Sequence, residues 1–372
     1  MVQLLFVHGV ATRTTAKYDI ECANRDLLFR TALFKDKPLD IYAPRWGDFV
    51  PEIPSVIFER PSGVVAYSGI GEDSNSAGTL GVGTDDVASS RVAELAQRDG
   101  TAALDAILTT LVEMREDEGE LLTDEDIAMF ARATDHDETS SPFPDMQSDG
   151  DLAGHLESEG DASYGIDIGG AISSAIAAVG DRLQNAASGA VFDAARGYIS
   201  PAVGRFLGDV FVYLNPGALR DEIRECIREK LLEAWAVAQQ KNEPLVIIGH
   251  SLGGVILYDM LSSPASVNLP SDLKVAALLT VGSQPGLFQS LNLFDVKHTP
   301  NTKNPAPECV QAWLNIFDPI DPFGFCAVPM FEKVEDFVFD SVTGVISAHT
   351  TYFKRPQFHA KSRARLSALG II

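Results

Sequence analysis

The chain opens on an almost unbroken apolar run, Val2-Gln3-Leu4-Leu5-Phe6-Val7, which stops at His8-Gly9. A short apolar run closed by glycine reads as a strand buried on both faces. A helical segment is expected around 15–34. A strand follows near Asp40-Ile41-Tyr42-Ala43-Pro44, with Arg45-Trp46-Gly47-Asp48 at its end. Strand, helix and strand in that order begin a parallel sheet with helices on its faces. The rhythm returns after residue 209. Leu219, Ile223, Ile227, Leu231 and Trp235 recur at helical spacing, with Asp221 and Glu222 near that helix's start. Strands are then predicted at 244–248, 275–281 and 310–316. A helix follows the first of them, and a last helix is expected around 357–369.

Between these stretches, residues 51–205 break the pattern. Ser, Gly and Asp dominate 68–90. Val92, Leu95, Leu104, Ile107 and Leu111 restore a helical period over 88–116. Ile168, Ile172, Ile176, Val179 and Leu183 form one apolar stripe, and Val191, Phe192, Ala195 and Ile199 a second after Gly189. Two closely packed helices rich in small residues are expected there, as ordinary core or as a lid over a substrate pocket. The predicted organisation is an α/β core from 1–50 and 206–372, with a mainly helical cap inserted at 51–205.

Charge sharpens this division. The formal net charge is −23, and residues 113–161 hold 17 Asp/Glu against only Arg115 and Arg132, a net −15. The acidity therefore describes the insertion, where Ser140, Ser141, Pro142 and Pro144 suggest a mobile loop. Such a charge repels nucleic acid and disfavours simple docking on an anionic membrane. Asp149-Gly150-Asp151 lacks the remaining ligand spacing of a calcium loop and reads as a solvated acidic face. Cys22, Cys226, Cys309 and Cys326 are far apart and show no metal-ligand spacing. Free thiols are expected, with a Cys309–Cys326 bridge as the alternative. No basic region and apolar leader precede the first strand. The longest uncharged stretch near the middle, Ile168 to Gly180, is 13 residues, short of the roughly 20 that span a bilayer. A soluble, cytoplasmic protein without metal or organic cofactor is the expectation.

The chemistry concentrates where Pro244-Leu245-Val246-Ile247-Ile248 runs into Gly249-His250-Ser251-Leu252-Gly253 and then into the apolar helix from Gly254. A sharp turn from strand to helix pushes Ser251 out at the strand tip. Gly249 and Gly253 let neighbouring backbone approach, and the helix N-terminus favours developing negative charge. A serine hydroxyl needs a base, and the base needs an orienting group. In a parallel sheet those groups lie at the carboxyl ends of later strands, so an acid and then a histidine should follow in the chain. His349 is downstream of the last clear strand, in a loop before the final helix. Asp318 and Asp321 both follow the strand ending at Ile316. Asp321 is preferred as the acid, and Asp318 is the alternative. The first strand ends at His8-Gly9-Val10. The backbone N–H groups of Val10 and Leu252 are assigned to an oxyanion hole, with His8 fixing the loop and Gly9 allowing close approach. Arg13 beside this turn either braces it through an ion pair or meets a polar head group.

These residues resemble the α/β-hydrolase superfamily, and its lipase- and esterase-like serine hydrolases in particular. Val7-His8-Gly9 is similar to its oxyanion strand. Gly249-His250-Ser251-Leu252-Gly253-Gly254 is similar to the G-H-S-x-G-G turn of lipases and esterases. Asp321-Pro322-Phe323 is similar to the D-x-V-P type acid loop, with Phe323 where Val is usual. Ala348-His349-Thr350-Thr351-Tyr352 is similar to an S-H-x-x-Y element. The resemblance covers roughly residues 2–50 and 206–372. It implies an α/β-hydrolase fold and hydrolysis of a carboxylic ester, either a small-molecule ester or a lipid, through Ser251, His349 and Asp321. The apolar helices at 166–205 favour a hydrophobic acyl group and contact with a membrane surface through the cap. Thioesters and amides use the same machinery. A catalytically idle scaffold whose acidic insertion recruits a partner is the reading from another class.

Overall fold

The structure is a computed structural model. It describes residues 1–35, 37–51, 91–135, 146, 148–159, 168–186, 204–339 and 348–372. The Ser140–Pro144 segment expected to be mobile, the Ser/Gly/Asp-rich 68–90 stretch and the second apolar set at 191–199 lie outside these residues.

In chain order the elements are β1 (Val2–Val7), α1 (Ala16–Leu28), β2 (Leu39–Tyr42), α2 (Arg91–Arg98), α3 (Gly100–Glu118), α4 (Asp124–Asp135), α5 (Asp149–Glu159) and α6 (Ile168–Ala186). A helix over 204–214, α7, follows. Then come α8 (Ala218–Lys241), β3 (Leu245–His250), α9 (Leu252–Ser262), β4 (Ala277–Val281), α10 (Pro285–Ser290), β5 (Trp313–Phe317), β6 (Val334–Val338) and α11 (Pro356–Ala368). Among the described residues the strands form one six-stranded sheet in the order β2-β1-β3-β4-β5-β6. Every neighbouring pair is parallel. The protein is thus an α/β structure on a parallel sheet.

Strand periodicity explains why both faces are covered. Leu5, Val7, Leu245 and Ile247 join one apolar cluster with Ile223, Ile227 and Leu231 of α8 and Val255 and Ile256 of α9. Leu4, Phe6, Val246 and Ile248 point the other way, into a cluster with Phe353 and with Phe358 and Leu366 of the α11 segment. Successive side chains alternate faces, so a strand packed on both sides is apolar at nearly every position. Full burial of each such side chain contributes about 1.5–3 kcal/mol. Helices α2 to α6 share a third cluster that takes in Leu28 and Ala32. There Ile172, Ile176 and Val179 of the predicted stripe are buried.

Two expectations change. Val334-Glu335-Asp336-Phe337-Val338 is an edge strand that the apolar pattern did not announce. The carboxylate-rich stretch is not simply a solvated face either. Asp149 accepts the Ala93 N–H, and Ser148 and Asp151 bond each other reciprocally at the start of α5. Asp126 is buried against Arg115, and Glu116 against Lys354. All four cysteines are free thiols. No helix among the described residues is long and apolar enough to cross a membrane.

Candidate active site

Strand order reverses direction at β1, which has β2 on one side and β3 on the other. In open parallel sheets such a reversal leaves a crevice at the carboxyl ends of the strands. Val7 pairs with Gly249, so His8-Gly9-Val10 emerges beside His250-Ser251. Ser251 occupies the turn between β3 and α9 with φ 51° and ψ −127°. Residues other than glycine rarely adopt such a conformation, which costs roughly 1–3 kcal/mol. Its N–H is secured on the Val281 carbonyl at 3.0 Å. The glycines are explained by contact. A Cβ on Gly253 would lie 2.3 Å from the Val7 carbonyl oxygen, and one on Gly9 would lie 2.7 Å from Ser251 Cβ. One on Gly249 would lie 2.6 Å from Gly254 Cα.

Three distant segments meet here. His349 Nε2 is 3.0 Å from Ser251 Oγ. His349 Nδ1 is 2.9 Å from Asp321 Oδ2 and 3.1 Å from Oδ1. Asp321 also accepts the Phe323 N–H at 2.8 Å and the Tyr352 O–H at 2.9 Å. Burial raises the affinity of this carboxyl for its proton. The donors from His349, Phe323 and Tyr352 outweigh that and hold it below the usual carboxylate range. An ionised Asp321 selects the tautomer with its proton on Nδ1. Nε2 is then free to accept the Ser251 proton. Asp318 does not contact the imidazole. Its Oδ1 accepts the Ile320 N–H at 3.0 Å, and its own N–H donates to the Tyr352 hydroxyl at 2.8 Å.

The neighbours of the imidazole are ordered as well. Burial pushes His250 down to about 3, so it is neutral and its Nε2–H donates to the His349 carbonyl at 2.9 Å. Phe323 lies 5.0 Å from the His349 ring and packs at 4.4 Å on Phe206 of α7. Ser251 is only 1% exposed, so any group that reaches its hydroxyl must displace part of this cover.

The turn after β1 is held from several sides. The Val10 and Leu252 N–H groups have no acceptor among the described residues. Ala11, with φ 59°, donates its N–H to Asp209 Oδ2 at 2.7 Å. Thr12 Oγ1 and His8 Nδ1 both donate to the Gly9 carbonyl, at 2.6 and 2.8 Å. Trp46 Nε1 donates to the His8 carbonyl at 2.9 Å, and its ring stacks on His8 at 4.9 Å. Burial lowers His8 to about 3, which keeps it a neutral brace. Arg13 pairs with Asp209 at 2.8 Å, the bracing alternative. A recess of about 310 Å³ lies beside the turn, lined by Phe6, Gly9, Val10, His250, Thr350 and Phe353 among others.

Sequence reasoning missed Tyr352, Trp46 and Asp209. Tyr352 stands three residues after His349, a spacing visible in the chain but given no role. Trp46 was seen only as part of a strand end. Asp209 is 198 residues from Ala11, and nothing local announces that contact.

No family model matches the chain, and no solved structure matches it. It is similar to a Schizosaccharomyces pombe protein named "probable phospholipase, mitochondrial", with 28% identity over 34% of this chain and 19% of that protein. It is also similar to a Saccharomyces cerevisiae protein of the same description, with 24% identity over 34% of this chain and 19% of that protein. The chain therefore spans about one fifth of the length of these curated relatives. Both relatives carry a mitochondrial name, which overturns the cytoplasmic expectation. That expectation rested on a missing secretory pattern, and mitochondrial targeting has a different, amphipathic and Arg-rich signature.

Proposed function

We propose that this chain is a serine hydrolase of the α/β-hydrolase type that cleaves a carboxylic ester of a lipid. The observation that carries this reading is the unbroken line from Ser251 Oγ through His349 to Asp321, with contacts of 3.0 and 2.9 Å. Similarity to proteins named as phospholipases supports a lipid ester as the substrate class. In this reading Ser251 Oγ attacks the ester carbonyl while its proton passes to His349 Nε2. Asp321 faces the imidazolium that forms. The N–H groups of Val10 and Leu252 receive the negative charge on the carbonyl oxygen, each worth about 3–4 kcal/mol in the transition state. His349 then returns the proton to the departing alcohol oxygen. Water, deprotonated by the same imidazole, releases the acid from Ser251. Residues 1–50 and 206–372 form the catalytic core in this scheme, and 51–205 form a cap that contacts a membrane surface.

The test is a fluorophosphonate probe together with fatty-acid release from phospholipid vesicles. Both signals should be present in the parent chain and absent in Ser251→Ala. A folded parent chain that takes up no probe and releases no acid from any ester would end this proposal.

A further inference from the structure

We infer that a second recess, lined by Arg13, Lys17 and Arg205, is a subsite for the phosphate of the substrate's headgroup. This rests on the lipid-ester reading above and extends it. The recess has a volume of about 400 Å³. It shares Ala11, Thr12, Tyr18 and Glu21 with the recess beside Val10. Arg13 is three residues beyond Val10, so their Cα atoms lie within about 11 Å even for a fully extended stretch. In a glycerophospholipid, only the glycerol carbons separate the phosphate from an ester carbonyl. A phosphate held here would place that carbonyl near the oxyanion turn.

Charge supports the assignment. In a chain of net charge −23, three cations against two carboxylates line this recess beyond the turn after β1, a net +1 that runs against the overall field. The carboxylates lining it are Glu21 and Asp209. Asp209 is already engaged, accepting from the Ala11 N–H and from both terminal nitrogens of Arg13. Lys17 is paired with Asp117, which is 71% exposed. Such a surface pair is weak and readily exchanged for a stronger anion. Arg205 is exposed and has no ion-pair partner among the described residues. A guanidinium fork and an ammonium suit phosphate oxygens, because charge-assisted hydrogen bonds to them are the strong ones. Arg13, fixed by Asp209, supplies a preorganised wall to the same recess.

The experiment compares the parent chain with the double variant Lys17→Gln, Arg205→Gln. Binding of glycerol 3-phosphate and of inorganic phosphate is measured by titration calorimetry. Hydrolysis is measured on a diacylglycerol phosphate in neutral micelles and on an uncharged short-chain nitrophenyl ester. We expect the variant to bind glycerol 3-phosphate at least about tenfold more weakly, the low end for a charge-assisted hydrogen bond. KM for the phosphate-bearing lipid should rise by a similar factor, and turnover of the uncharged ester should be unchanged. Absence of glycerol 3-phosphate binding in the parent overturns the subsite, as does equal loss on both esters. Binding of inorganic phosphate without glycerol 3-phosphate overturns a headgroup in favour of free phosphate. If no ester is turned over while glycerol 3-phosphate still binds and the variant weakens it, the hydrolase reading fails and the subsite stands.

Discussion

Replacing Asp321 by Asn tests the proposed mechanism at its most specific point. Each Asp321 oxygen is fully committed. Oδ1 faces the Phe323 N–H and His349 Nδ1, and Oδ2 faces His349 Nδ1 and the Tyr352 hydroxyl. An amide in that place must turn its NH₂ toward one of these donors. Either orientation removes the negative charge opposite the imidazolium and sets an N–H within reach of Nδ1, which favours the wrong tautomer. The combined loss should be about 10⁴-fold in kcat, or about 5.4 kcal/mol of transition-state stabilisation. Asp318→Asn touches only the Ile320 N–H bond and should leave kcat within about threefold, the range of a bond worth under 1 kcal/mol. The assay is steady-state hydrolysis of a soluble short-chain ester, with circular dichroism and thermal melting to confirm folding. If Asp318→Asn lost as much as Asp321→Asn, or if Asp321→Asn kept near-parental turnover, the assignment of the acid would be refuted.

Two further outcomes follow from the same contacts. Burial lowers His8 to about 3 and His359 to about 4, against 6.5 when unfolded. Each therefore stabilises the fold above pH 6.5, and that contribution is lost as pH falls toward the folded values, costing about 2 kcal/mol per group by about pH 5. Urea unfolding at about pH 7.5 and pH 5 should show His359→Gln losing about 2 kcal/mol less than the parent over that interval; equal losses would contradict the argument. Gly9→Ala places a Cβ 2.7 Å from Ser251 Cβ, so probe labelling at Ser251 should slow at least about tenfold, since a displacement on the order of 1 Å can cost about 100-fold. An unchanged labelling rate would mean the turn yields without consequence.

What could be read from the chain divides along physical lines. β1, β3 and β4 were legible because strands buried on both faces are apolar at nearly every position. Helix α8 followed from the helical spacing of its apolar residues together with Asp221 and Glu222 near its start. β6 escaped because it is an edge strand with Glu335 exposed, and its Asp336 accepts the Ala327 and Val328 N–H groups. That side chain serves a loop, so it breaks the strand's apolar pattern. At the site, Ser251 was flagged by the strand and glycines around it, whereas Asp321 could be preferred over Asp318 without excluding it. Both follow the same strand and precede a proline. Only the fold distinguishes the one facing His349 from the one facing its own loop. Long-range supports such as Asp209 leave no local trace, because a single buried carboxylate can find its donors anywhere in the chain.

Helix α7 brings three side chains to bear on the same small volume. Asp209 pins the turn after β1, Phe206 leans through Phe323 on the imidazole loop, and Arg205 walls the cationic recess. Positions 205, 206 and 209 share a helical side, so they travel as one rigid body. A tilt of that helix would disturb the turn after β1, the Phe323 contact and the recess together. The pose of α7 is therefore tied to the turn after β1, to the imidazole loop and to the recess at once.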